Sequence, residues 1–412
     1  MYRLYQYEMH NRYLPISAPR FYSTFSFMLL RMVQGYRVIG QCRLNECIGY
    51  AVYTLICFFC ILGTTYNCFA EDMHDKIISF EERMDLLHIQ DKDGTVRTIA
   101  TTKAWEERKT EIFANVEKVF GPFPDSLKKC DLDVKYIEEN DCGGYTRYKI
   151  SFCPEPGDLA FAWLLVPKNH DCKLPAAVAL HPTHEAGKDD SVGLTRRLNR
   201  NYGQELADRG YVVIAPDYWN FGECKKSPYD LGYKSQCMRG IWDHMRAVDL
   251  LATLDYVDSD RIAAIGHSLG GHNALFLAMY DPRIKVTVTS CGFSSFYRQK
   301  EYCPESLRGH AQDRYAPLCD TIYHCDPTRL PFDYNEILAL IAPRTILINA
   351  PLKDDNFDPQ GARECTESAR KVYELYGRPD GLLLLQPNDL HDFPPEIRKT
   401  VYDMLDREFK NF

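Results

Sequence analysis

At 412 residues, 45% of them hydrophobic, the chain can bury a large core, and its length allows two or three domains. A net charge of −8 with no extended basic block argues against a nucleic-acid-binding surface. Of 16 cysteines, five precede residue 70 and eleven follow, an odd number that leaves at least one thiol unpaired in a monomer. No C-x-x-C is joined by a second one or by a His pair, so the sequence offers no zinc site.

The chain opens on an export-like segment. Arg31, Arg37 and Arg43 precede an uncharged apolar run from Ile48 to Leu62, and Cys68-Phe69-Ala70 stands before Glu71-Asp72. Positive flank, apolar stretch and small-residue exit predict a secretory signal over residues 1–70, with Met32 as a second possible start. The product would be secreted or periplasmic, more acidic than the whole chain, and without stable membrane association. The alternative is an uncleaved anchor over residues 48–66, short against the roughly 20 apolar residues of a full span.

Residues 71–130 are charged and helical in pattern and predict an N-terminal helical cap. Within them, 105–120 puts Ile112, Val116, Val119 and Phe120 on one face, and Gly121-Pro122 stops the helix. Strands follow at 132–137, 145–152 and 159–166, separated by Gly- and Pro-containing turns. The wholly apolar 176–180 suits a parallel strand covered on both faces. Helices at 202–209, 242–257, 360–376 and 395–409 then alternate with strands at 211–217, 262–265, 284–289, 345–350 and 382–386. That alternation predicts an α/β fold over 131–412. Its sheet is doubly wound and mostly parallel, with the helical extension before it and an insertion at 293–340 between late core strands.

One stretch carries chemistry. The β-branched 262–265 runs into Gly266-His267-Ser268-Leu269-Gly270, and an apolar helix follows over 273–279. Strand, G-x-S-x-G and helix in that order form a nucleophile elbow, which holds a serine Oγ exposed at a strained apex. A serine hydroxyl needs a base, and in sheets bearing such an elbow the acid and then the histidine follow it in the chain. Downstream of Ser268 stand His272, His310, His324 and His391. His272 lies one turn along the elbow helix, and His310 and His324 fall in the insertion. His391 follows the last strand at the carboxyl edge of the sheet, where such sites lie; it is the predicted base. The acid belongs to the loop after 345–350, which offers Asp354, Asp355 and Asp358. Asp355 is preferred, and Asp358 also reads as the N-cap of a helix begun by Pro359. The oxyanion would be held by the Leu269 N–H and by a donor after 176–180, where Pro182 has none and Thr183 is next.

With these residues in view, the chain resembles the α/β-hydrolase superfamily, and within it the acetyl xylan esterase and dienelactone-hydrolase-like branch of secreted esterases. The likeness runs from about Trp105 to the C-terminus. It rests on Leu180-His181-Pro182-Thr183, Gly187-Lys188-Asp189, the run from Glu205 to Tyr218, the elbow, Ile341-Ala342-Pro343-Arg344 and His391-Asp392-Phe393-Pro394. Two departures stand out: Pro182 replaces a glycine common in the oxyanion loop, and the nucleophile is Ser where true dienelactone hydrolases use Cys. The resemblance implies a serine esterase of small carbohydrate esters, without metal or organic cofactor. It also implies a lid in the insertion, where Phe293, Phe296, Tyr297, Tyr302 and Tyr315 offer surface for sugars and Cys303, Cys319 and Cys325 could form staples. Cys224 and Cys237 could make a second pair, and Trp219 and Trp242 read as core more readily than as pocket wall. An acidic esterase is expected to favour neutral esters over uronates, unless Arg196, Arg197 and Arg200 form a basic patch. A prolyl-oligopeptidase-like peptidase is the nearest rival, but ~100 preceding residues cannot hold a propeller of blades of about 40–50 residues. A glucuronoyl esterase and an idle binding protein of the same fold are the others.

Overall fold

A computed structural model describes residues 77–410 except 92, 169, 225–226 and 303. The signal and anchor expectations fall on residues outside that range. Among the described residues no helix is long and apolar enough to cross a membrane.

The described chain begins with helix α1 (Phe80–Met84), a hairpin of β1 (His88–Gln90) and β2 (Val96–Thr98), and helix α2 (Thr102–Phe120). The hairpin is the non-helical part of a stretch expected to be mostly helical. Its strands carry few apolar residues and pair only with each other, so no alternation betrays them. Helix α2 starts where the Thr101 side chain accepts the Ala104 N–H. It buries Trp105, Ile112, Val116, Val119 and Phe120 in the main core, the Phe120 ring 4.8 Å from that of Phe276.

A nine-stranded sheet follows. Its strands are β3 (Lys135–Asp141), β4 (Tyr145–Phe152), β5 (Ala160–Pro167), β6 (Leu174–Leu180), β7 (Val212–Pro216), β8 (Val257–His267), β9 (Ile284–Ser290), β10 (Thr345–Asn349) and β11 (Leu382–Leu385). Their order is β11-β10-β9-β8-β6-β7-β5-β4-β3. The six strands from β11 to β7 run parallel, and β5, β4 and β3 add an antiparallel edge. This is the doubly wound, mostly parallel sheet expected. Strand β3 begins three residues later than its hydrophobic pattern suggests, because an edge strand need not hide its side chains: Tyr136 and Ile137 stay exposed.

The connecting helices are α3 (Lys188–Ser191), α4 (Tyr202–Asp208), α5 (Gln236–Thr253) and α6 (Leu269–Tyr280). Insertion helices α7 (Phe296–Tyr302), α8 (Pro304–His310), α9 (Leu318–Thr321) and α10 (Tyr334–Ile341) follow, and then α11 (Pro359–Leu375) and α12 (Pro395–Lys410). Helix α5 starts earlier than its periodicity indicates because Ser235 caps it, accepting the Met238 N–H. Alternate residues of the central strands enter two apolar layers. Val178, Ala264 and Ile348 face the layer of α2, α5 and α6, and Ala179, Ile265 and Leu347 face that of α4 and α12.

Register places the chemistry. Leu180 of β6 pairs with Gly266 of β8, His267 with Ser290 of β9, and Ser290 with Asn349 of β10. The loops leaving β6, β8, β9 and β10 therefore emerge level with one another at the carboxyl edge.

Candidate active site

Ser268 sits between β8 and α6 with φ 55° and ψ −121°, a left-handed conformation costly for a residue with a Cβ. The flanking glycines make the turn possible. A Cβ on Gly266 would lie 2.2 Å from the Gly270 carbonyl carbon, and one on Gly270 would lie 2.0 Å from the Leu180 oxygen. The Ser268 N–H donates to the Ser290 carbonyl at 2.7 Å, tying the apex to β9. Leu269 opens α6, so its N–H belongs to the first turn, whose donors have no partner within the helix.

His391 lies in the loop before α12, its ring centroid 4.9 Å from that of His267, the residue preceding Ser268. Its Nδ1–H donates to both Asp354 oxygens, at 2.9 and 3.0 Å, leaving Nε2 as the nitrogen available for proton transfer. The acid against His391 is thus Asp354, not the expected Asp355. The loop folds Asp354 inward, 1% exposed, where Oδ1 also accepts the N–H groups of Asn356 and Phe357 at 2.9 and 3.0 Å. Asp355 points to solvent. Asp358 caps α11, accepting the Gln360 N–H.

Several residues that sequence reasoning passed over hold the histidine loop. Asp392 is gripped by Arg200 Nη1 (2.6 Å) and Asn199 Nδ2 (2.5 Å), and its carbonyl accepts from Asn349 Nδ2 (2.9 Å) and Cys291 Sγ (3.4 Å). Arg398 donates to the Phe393 carbonyl and pairs with Glu205 through two hydrogen bonds. Burial, aided by the Arg200, His391 and Arg197 charges, holds His267 well below the usual imidazole range. A neutral neighbour spares His391 like-charge repulsion as it gains a proton. Cys291 Sγ, an Asp354 oxygen and a His391 nitrogen lie within 4.8 Å of one another, the one triplet of potential metal ligands among the described residues. Burial and the Asp354 charge push the Cys291 thiol well up, which keeps it protonated.

The loop after β6 is built as a rigid shelf. His181 stacks on Tyr218 with ring centroids 3.8 Å apart; its Nδ1–H donates to the Pro182 carbonyl (2.7 Å), and Nε2 accepts the Tyr218 N–H (3.4 Å). Burial lowers its pKa to about 4. Lys188 Nζ lies 2.6 Å from both Asp217 and Glu223, binding this loop to the one after β7. Thr183 is exposed on the shelf, its hydroxyl 2.9 Å from the Tyr315 hydroxyl of the insertion.

A small hollow of about 20 Å³, room for about one water, lies beside Leu269, lined by Tyr218, Trp219, Gln236, Asn273, Arg314 and Tyr315 among others. Trp219 is buried, as expected, against the Arg239 guanidinium, and Trp242 packs on Phe123 and donates to the Pro154 carbonyl. Of the five insertion aromatics only Tyr315 lines the hollow. Phe293 stacks on Tyr334, Phe296 packs on it at a tilt, Tyr297 packs on Phe80, and the Tyr302 hydroxyl donates to the Asp354 carbonyl at 2.6 Å. A larger hollow, about 510 Å³, lies among α1, the hairpin and α2, but no Ser, Thr, Cys or Lys lines it. The ten described cysteines are all free thiols, with Cys130 and Cys153 Sγ 3.2 Å apart.

Comparison with known proteins bears on the fold and on the class of its relatives. A family model described as glucuronyl esterase of fungi matches residues 229–377. The putative hydrolase YtaP of Bacillus subtilis is 28% identical over 285 residues, 66% of this chain and 89% of that protein. Carbohydrate esterase MZ0003, from an unknown prokaryote, is 26% identical over 337 residues, 69% of this chain and 77% of that protein. Among solved structures, a glucuronoyl esterase from Solibacter usitatus superposes with a TM-score of 0.66 at 18% identity, covering 80% of this chain and 98% of its own. By its sheet order, its elbow and these likenesses, the chain is an α/β-hydrolase-fold protein.

Proposed function

We propose that the chain is a serine carboxylic ester hydrolase acting on small esters carried by carbohydrates. Ser268 Oγ attacks the ester carbonyl while His391 Nε2 takes its proton and returns it to the leaving alcohol. Asp354 fixes the ring tautomer and stabilises the imidazolium. The Leu269 and Thr183 N–H groups hold the oxyanion, and water then releases the acid from the acyl-enzyme by the same steps in reverse. The observation that carries this reading is the buried Asp354 carboxylate closed on His391 Nδ1, with the His391 ring packed on His267, the residue before the strained elbow serine. The likeness to carbohydrate esterases supports the ester class. The charge-flanked apolar run before Ala70 supports an exported protein.

A glucuronoyl ester is the second reading, favoured by the family model over 229–377. One purified preparation assayed on acetylated sugars, methyl glucuronoyl esters and peptide amides separates these readings. The expected result is turnover of esters and none of amides; amide cleavage exceeding ester cleavage would overturn the proposal.

A further inference from the structure

Among the described cysteines one pair stands apart. Cys130, in the segment between α2 and β3, and Cys153, directly after β4, are 23 positions apart in the chain, and their Sγ atoms lie 3.2 Å from each other. Both residues are half-buried, whereas Cys224, Cys237, Cys291 and Cys365 are buried. Cys237, which the sequence offers as a partner for Cys224, turns its Sγ to His272 Nε2 at 3.9 Å.

The approach of the two thiols is imposed by contacts that owe nothing to sulfur. On one side the Cys130 carbonyl accepts from Arg246 Nη2, and the neighbouring Lys129 pairs with Asp249 at 2.8 Å. On the other the Pro154 carbonyl accepts from Trp242 Nε1 at 2.9 Å, and Glu155 faces Arg239. Arg239, Trp242, Arg246 and Asp249 follow one another on α5 at intervals that put them on one face of the helix. That single face therefore holds both chain segments. Between them the Cys153 N–H donates to the Leu132 carbonyl at 2.7 Å, which sets the segments side by side. A side-chain rotation that brings the sulfurs about 1 Å closer completes a bond of ~2.05 Å.

We propose that Cys130 and Cys153 are a redox pair that closes to a disulfide, clamping the segment after α2 to the end of β4. The pair is independent of the ester chemistry. Its oxidant is a small-molecule disulfide of the glutathione class. The Cys130 thiolate attacks one sulfur of that disulfide and expels a thiolate. The Cys153 thiolate, until then held as a thiol against the Glu155 carbonyl at 3.0 Å, attacks the Cys130 sulfur of the mixed disulfide and expels the second. Two protein thiols are oxidised, one external disulfide is reduced to two thiols, and the two cysteine protons pass to the departing thiolates. Because α5 fixes both segments, the second step is intramolecular and outruns attack by a further external thiol.

The test equilibrates the purified protein with excess glutathione disulfide, alkylates the remaining thiols and reads the proteolytic peptides by mass spectrometry. The expected product joins the Cys130 peptide directly to the Cys153 peptide. Oxidation should also raise the melting temperature by about 5 °C, since closing a loop of this length removes chain entropy from the unfolded state. In Cys153→Ser the joined peptide and most of that rise should be lost together, with Cys130 recovered as its glutathione adduct. Recovery of Cys130 and Cys153 from the native protein as alkylated thiols, as separate glutathione adducts or joined to other cysteines overturns the pair. A joined peptide without any rise in melting temperature overturns the clamp.

Discussion

Asp354→Asn is the substitution with the sharpest expected consequence. Asp354 Oδ1 accepts two backbone N–H groups, so in the variant the amide oxygen keeps that position and the amide nitrogen takes the place of Oδ2. The new N–H₂ then faces His391 Nδ1 at about the 3.0 Å now occupied by an acceptor, while the amide oxygen, 2.9 Å from Nδ1, is left as a weaker, neutral acceptor shared with two backbone N–H groups. The hold on the ring tautomer is weakened, and the imidazolium loses its counter-charge. In a serine triad of this geometry such a change costs on the order of 10⁴ in kcat, or about 5.5 kcal/mol of transition-state stabilisation. Asp355→Asn alters a solvent-facing side chain and should stay within about threefold of the native rate. Both variants should be assayed for kcat on an aryl acetate, with circular dichroism confirming the fold. A crippled Asp355→Asn beside an active Asp354→Asn would refute the assignment.

Gly270→Ala should be more damaging than its one added carbon suggests, since that Cβ would lie 2.0 Å from a backbone oxygen of β6. About 3 kcal/mol of stability should go, seen as a melting point lower by several degrees, and an unchanged melting point would contradict the close approach. Acid should weaken the fold as pH falls from 7 to 5. His181, His244, His267, His272 and His310 are held neutral by burial, with pKa values below the unfolded value near 6.5, about 4 for His181 and His310 and about 3 for His244. The unfolded chain therefore takes up their protons first, and the stability present above pH ~6.5 is lost below it. Asp243 and Asp333, pushed up to about 6 by burial, act in the opposite sense, as do Asp208 and Asp217, which burial also raises. The five histidines, most of them fully buried, outweigh the four aspartates, so the urea midpoint should drop; a rise over that range would contradict the accounting.

Sequence alone located most of this molecule because its signals were local. Strands such as β6 are apolar throughout, the elbow is punctuated by glycines that nothing else could replace, and His391 is the histidine between the last strand and the last helix. The acid was not legible to the residue. Asp354 and Asp355 are neighbours of identical chemistry, and which one turns inward depends on two loop N–H groups that no periodicity reports. Arg200 and Asn349 reach the histidine loop from distant segments, and so were invisible until register brought the strand ends level. Trp219 and Arg314 likewise meet only across the hollow.

The central claim is that Ser268 is the nucleophile. The direct measurement is ester turnover by purified Ser268→Ala, with its fold verified, against the native protein on one aryl acetate. A fall in kcat of about 10⁴ or more is predicted, the cost of losing a triad nucleophile. Turnover within tenfold of native would contradict the account at its base.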